Sequence, residues 1–217
     1  MKTCRTLIAA AGLLSVLGST QAAWILGGQA YTQGGTTESL TAAFTNPLGT
    51  LSSNNYTGYV LVEVTGTGNS YAQYLNDAFY VFGRSTSTIA LPNYGLVITR
   101  SANVTASGGG ANDDAARHIV YDVLGNTAVS SPTYIPAYQA SHTYSFILDS
   151  MALTGSSTQL RFGVDDGQYG DNGGSFGITV TQLVRGTGQT VPEPTSLLLM
   201  GGALGLLAAS RRRRAAR

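Results

Sequence analysis

Apolar and polar residues alternate with a period of two through most of the chain between residues 23 and 190, the pattern of half-buried strands. Residues 59–64 show it most clearly. Val60, Val62 and Val64 fall on one side, and Tyr59, Leu61 and Glu63 on the other. Tyr144, Phe146 and Leu148 repeat the pattern, as do Leu160, Phe162 and Val164, and Phe176, Ile178 and Val180. Residues 24–31 predict a first strand with Gly27-Gly28 as a bulge, and residues 40–45 a short second strand ended by Asn46-Pro47. Further strands are expected at 78–82, 96–100 and 117–124, with a proline-bounded edge strand at 134–138. Residues 66–69 and Gly125-Asn126 read as turns, 85–88 with Pro92-Asn93 as a connector, and 106–114 as a long glycine-rich loop. Eight to ten strands with turn signals between them predict one all-β domain, a jelly-roll-like β-sandwich over 23–190.

Both ends break this period. Residues 1–22 place Lys2 and Arg5 before the apolar run 7–17, and close on Thr20-Gln21-Ala22. That order predicts a Sec signal peptide cut between Ala22 and Ala23 by signal peptidase. The apolar run, about eleven residues, is too short to be read as a span. Cys4 leaves with it, so the mature protein has no cysteine and no disulfide framework.

The other end, 191–217, has three parts. Val191-Pro192-Glu193-Pro194 is stiff and poor in donors, because each proline fixes φ and lacks an N–H. Residues 195–210 follow with no charge and predict a transmembrane helix. The apolar positions would rise roughly 22 Å against a hydrocarbon core of ~30 Å, which local thinning and arginine stems can accommodate. Arg211, Arg212, Arg213 and Arg214 then hold the end on the cytoplasmic side.

That triplet, apolar run and arginine cluster resemble the PEP-CTERM sorting signal of Gram-negative bacteria. The resemblance implies a precursor held at the inner membrane, cut by an exosortase near Pro192-Glu193-Pro194, and delivered to the cell surface or an exopolysaccharide matrix. Such tails sort diverse cargo, so the destination follows from it and the activity does not.

Removing both ends changes the charge. The whole chain is formally +1, but residues 23–190 hold five arginines against ten carboxylates, close to −5. A surface so poor in basic residues argues against nucleic acid and is compatible with divalent cations.

The stretch 164–180 carries the strongest candidate chemistry. Asp165, Asp166, Asp171 and Asn172 stand among glycines between two strong strands, an all-oxygen set suited to calcium. No flanking helix or closing glutamate makes it an EF-hand. Tyr169-Gly170-Asp171-Asn172-Gly173-Gly174-Ser175-Phe176 resembles the calcium-site loop of small bacterial galactose-binding lectins, which are β-sandwiches. That resemblance implies Asp165, Asp171 and Asn172 as metal ligands, with Gln168 offering its backbone carbonyl, and calcium and sugar bound together. The same residues also serve turn geometry.

Catalytic signals are weak. Gly173-Gly174-Ser175-Phe176-Gly177 fits Gly-x-Ser-x-Gly, but Ser175 opens a strand where that motif needs a strand-to-helix elbow. His118 and His142 are the two histidines. His118 stands too far along its strand from Asp122 to bond it, and His142 reads as solvated. Glu63, Asp122 and Asp149 are carboxylates without an evident pair. The twelve tyrosines lie between the two ends, where exposed ones could stack on sugar and Tyr121 and Tyr144 read as packing. The expectation is a non-enzymatic surface or matrix protein, with a polysaccharide as a candidate partner. A calcium-dependent carbohydrate-binding module and a secreted hydrolase are the alternatives.

Overall fold

The computed structural model describes residues 23–70, 74–82, 89–99, 118–151, 157–164, 166 and 168–186. The signal segment, the 191–217 tail, the 106–114 loop and Asp165 lie outside them. The described residues form fourteen strands. They are β1 (Trp24–Leu26), β2 (Gln29–Ala43), β3 (Thr50–Leu51), β4 (Tyr59–Thr65), β5 (Gly68–Ser70), β6 (Tyr74–Asn76) and β7 (Tyr80–Phe82). After them come β8 (Ile89–Pro92), β9 (Leu96–Thr99), β10 (Ile119–Asp122), β11 (Thr127–Ala128), β12 (Thr143–Asp149), β13 (Arg161–Val164) and β14 (Gly173–Arg185).

One curled antiparallel sheet runs β11-β10-β12-β4-β14-β5-β6-β7-β8, with β2 also paired to β14 and β1 to β2. A second sheet, β3-β13-β9, contributes to the same core, giving a sandwich-like all-β fold. The core between them is what the alternation demands. Val60, Val62 and Val64 of β4, Tyr144, Phe146 and Leu148 of β12, and Phe176, Ile178 and Val180 of β14 all lie at 2% exposure or less. They meet Leu96, Ile98, Phe162 and Val164 of the smaller sheet. Burial of apolar surface at about 25 cal/mol per Å² drives this face inward.

Several expected boundaries move. Gly27-Gly28 is not a bulge but the two-residue turn of a β1–β2 hairpin, both glycines at positive φ (56° and 77°), as a right-twisted hairpin favours. The short strand expected at 40–45 is the end of the fifteen-residue β2. Its Gly34-Gly35 pair reads locally as a loop. It is accommodated by a register shift that sets Gln33 and Thr37 opposite Leu183 and Thr181. A Cβ on Gly35 would come within 2.7 Å of the Gln182 carbonyl, so the shift needs a glycine there. The turn expected at 66–69 is in part strand β5, and Pro92 belongs to β8, at the end of the large sheet where a missing N–H is tolerated. β10 is shorter than the 117–124 strand expected. A bulge between Ile119 and Tyr121 breaks its alternation, so Ile119 enters the main core while Val120, Tyr121 and Val123 pack on the opposite face.

Residues 134–138 form no strand. Pro132 and Pro136 remove ladder donors, and phenols take the carbonyls instead: Tyr94 donates to Tyr134 O and Tyr80 to Pro136 O, both at 2.8 Å.

Candidate functional site

Residues 166–172 link β13 to β14, and their position follows from close backbone packing beneath them. Phe44 N donates to Gly174 O at 3.0 Å, and β5 pairs with Gly173 and Gly174 through Asn69 and Gly68. Gly174 has φ +94°, and a side chain there would meet Gly68 Cα at 2.6 Å. Only glycine lets the two backbones approach so closely. Within the loop, Tyr169 donates its hydroxyl to Val164 O at 2.9 Å, and Gln168 N donates to Asp166 Oδ1 at 3.0 Å, an Asx turn. Asn172 Nδ2 donates to Phe44 O at 3.1 Å, which fixes which way its amide faces.

These bonds occupy the donors and leave oxygens over. Asp166 Oδ2, Asp171 Oδ1 and Asn172 Oδ1 are buried and accept no hydrogen bond from the protein. A buried polar atom without a partner costs about 1–3 kcal/mol, more when charged, so three within seven residues is unusual for a folded chain. An all-oxygen set of two carboxylates and an amide suits a hard cation such as calcium, which takes six to eight oxygens. Among the described residues no group of three or more His, Cys, Asp or Glu could hold a metal. A site here therefore draws on amide and carbonyl oxygens, or on Asp165.

Of the residues singled out in the sequence, Asp171 and Asn172 fall together with free oxygens, while Gln168 is exposed and uses its N–H within the loop. Asp166 was not among the expected ligands. Its signal is the Asx turn: a carboxylate that spends one oxygen on Gln168 N presents the other. Ser175 lies in β14, paired with Ala43, not at an elbow.

His142 is not solvated as expected. It has φ +50° and is 23% exposed, and its Nδ1 donates to Asp77 Oδ2 at 3.0 Å. Asp77 is fully buried and also accepts from Phe79 N (2.9 Å), Tyr80 N (2.8 Å) and the Tyr144 hydroxyl (2.8 Å). Burial first, then the hydrogen bond and charge of Asp77, push the Tyr144 phenol well above its usual range. Asp122, 3% exposed, accepts from Gly125 N at 2.9 Å and from the Tyr134 hydroxyl at 2.7 Å. Both carboxylates are structural acceptors with their capacity in use.

Comparison with known proteins bears on the tail and not on this loop. A family model described as the PEP-CTERM protein-sorting motif matches residues 190–214. The chain carries a PEP-CTERM sorting motif. Such a motif implies recognition by an exosortase and export from a Gram-negative cell through a membrane-anchored precursor. No curated protein matches the chain. A solved structure described as "EclA N-terminal domain; PllA-like lectin" aligns over 68% of this chain and 95% of that one, at 19% identity and TM-score 0.32.

Proposed function

We propose that the chain is the precursor of a non-enzymatic surface or matrix protein. Its 1–22 leader is taken by the Sec translocon and cut after Ala22. Residues 195–210 hold it transiently in the inner membrane with Arg211 to Arg214 inside, and an exosortase cuts near Pro192-Glu193-Pro194. The sorting motif at 190–214 carries this reading. The absence of a nucleophile elbow at Ser175 and the structural use of Asp77, Asp122 and His142 support a binding role over catalysis. The intact mass of the product recovered from cells tests it. A species lacking both ends is expected, and replacing Pro192 and Pro194 by alanine is expected to leave the precursor uncut at the membrane. A mature product still carrying its arginine cluster would overturn the reading.

The second reading is that the domain takes calcium at the 165–172 loop and, through it, a carbohydrate. The three free oxygens of Asp166, Asp171 and Asn172 favour it. Bound calcium would supply a positive centre whose remaining positions accept sugar hydroxyls. Calorimetric titration with calcium tests this, and no heat together with no rise in melting temperature at millimolar calcium would dismiss it.

A further inference from the structure

The outer face of the large sheet carries an unused site. Where β2, β14, β4 and β12 run side by side, a shallow trough of about 380 Å³ opens over Gly177. Register sets its two rows. Thr143, Thr65 and Gly177 lie opposite one another across three strands, and Glu63, Thr179 and Ser39 form the next row. Gly177 makes the depression, since it has no side chain between its neighbours.

The hydroxyls pair across the strands. Thr65 and Thr143 Oγ1 are 3.0 Å apart, and Ser39 Oγ and Thr179 Oγ1 are 3.2 Å apart. Thr143 Oγ1 also lies 3.3 Å from Ser141 O, an acceptor only. When Thr143 donates there, Thr65 donates to Thr143, and its remaining capacity is to accept. Glu63 adds an exposed carboxylate, opposite Ser145 and Thr179 of the neighbouring strands. The floor therefore sets one carboxylate and two hydroxyl pairs among threonine methyls and Leu40, in rows spaced by the ~4.8 Å between strands.

We infer that this trough binds a neutral, hydroxyl-rich polysaccharide strand laid across the sheet. This deepens the reading of the domain as a matrix protein and rests on it. Charge decides the class: the carboxylate and the negative balance of residues 23–190 repel an anionic polymer, while sugar O–H groups donate to Glu63 and Thr65. A protein partner is disfavoured because the rows offer small hydroxyls in place of the aromatic and aliphatic anchors that protein interfaces use. The strands here are already paired on both sides in β4 and β14, so no edge is offered for strand addition.

The test is binding of the purified full chain to cello-oligosaccharides and to alginate, each in EDTA and in calcium. Cello-oligosaccharide binding unchanged by EDTA, with none to alginate, is expected. Gly177→Val should abolish it, at least tenfold weaker, because the added side chain fills the trough. A Cβ there meets its nearest atom, Thr65 Cγ2, at 3.4 Å, an ordinary contact, and an unchanged melting temperature checks that the variant folds. Thr65→Val, an isosteric loss of one hydroxyl, should weaken binding several-fold with an unchanged melting temperature. No cello-oligosaccharide binding, equal binding of alginate, or binding indifferent to both substitutions would overturn the inference. Binding lost in EDTA would also overturn it and would move the site to the 165–172 loop. Correct export of the Gly177→Val protein would keep the sorting reading intact whichever result is found.

Discussion

Asp77 and Asp171 are the same side chain in opposite circumstances. Asp77 sits in a turn before β7, has no exposure, and collects four donors: two backbone N–H groups, a phenol and an imidazole. Asp171 sits in the turn before β14 with a buried oxygen that accepts nothing. The fold spends Asp77 on itself, fastening the 77–80 turn to the start of β12 through His142 and Tyr144. It leaves Asp171, with Asp166 and Asn172, holding unspent acceptor capacity. A buried carboxylate marks a candidate ligand site by what fails to reach it, not by burial alone.

The largest expected effect separates the two. Asp77→Ala leaves Phe79 N, Tyr80 N and the Tyr144 hydroxyl without their acceptor and should destabilise by about 3–5 kcal/mol, read by urea or thermal unfolding. A loss under about 1 kcal/mol would erase the contrast. The next effect concerns Asp171. Without calcium, Asp171→Asn should be neutral or slightly stabilising, since it removes an uncompensated charge. With calcium at a hundredfold over its dissociation constant, the parent protein should gain about 2.7 kcal/mol, and Asp171→Asn should lose that gain. The same destabilisation by Asp171→Asn with and without calcium would make Asp171 a structural residue like Asp77.

The smallest effect extends the Asp77 class to Asp122. Burial first, then the hydrogen bond and charge of Asp122, raise the Tyr134 phenol from its ordinary value of 10 to about 12. Between those values the unfolded chain has lost the proton while the folded one keeps it. The Tyr134 contribution is thus whole below pH 10 and falls away as pH rises through about 12. Tyr134→Phe should flatten that part of the alkaline stability profile and cost about 1 kcal/mol at neutral pH. An unchanged profile would remove Asp122 from the comparison.

Strand existence was legible where both neighbours are strands and one face is buried. β4, β12, β13 and β14 follow their alternation, because a slip by one residue would expose every valine and phenylalanine in it. It was illegible where long-range pairing overrides local chemistry. The Gly34-Gly35 segment and Gly68 are drawn into strands by β14, which supplies the hydrogen bonds their own sequence does not suggest. Residues 134–138 have strand-like composition, yet two tyrosines from elsewhere claim their carbonyls. In the candidate loop, composition pointed to the aspartates and Asn172 together, but the ligand set taken from the resemblance left out Asp166, whose free oxygen depends on how the Asx turn orients it.

Taken alone, the amino-acid order determined the sorting tail, which is read as a linear signal, and the inward faces of the long strands, which depend on a period of two. Tertiary structure decided which polar groups are satisfied. Asp77 meets His142 and Tyr144 from 65 and 67 residues away, and Asn172 is aimed by a carbonyl 128 residues distant. Hydrogen bonds act over about 3 Å, so a donor so far along the chain reaches its acceptor only once the sheet has brought the two strands together.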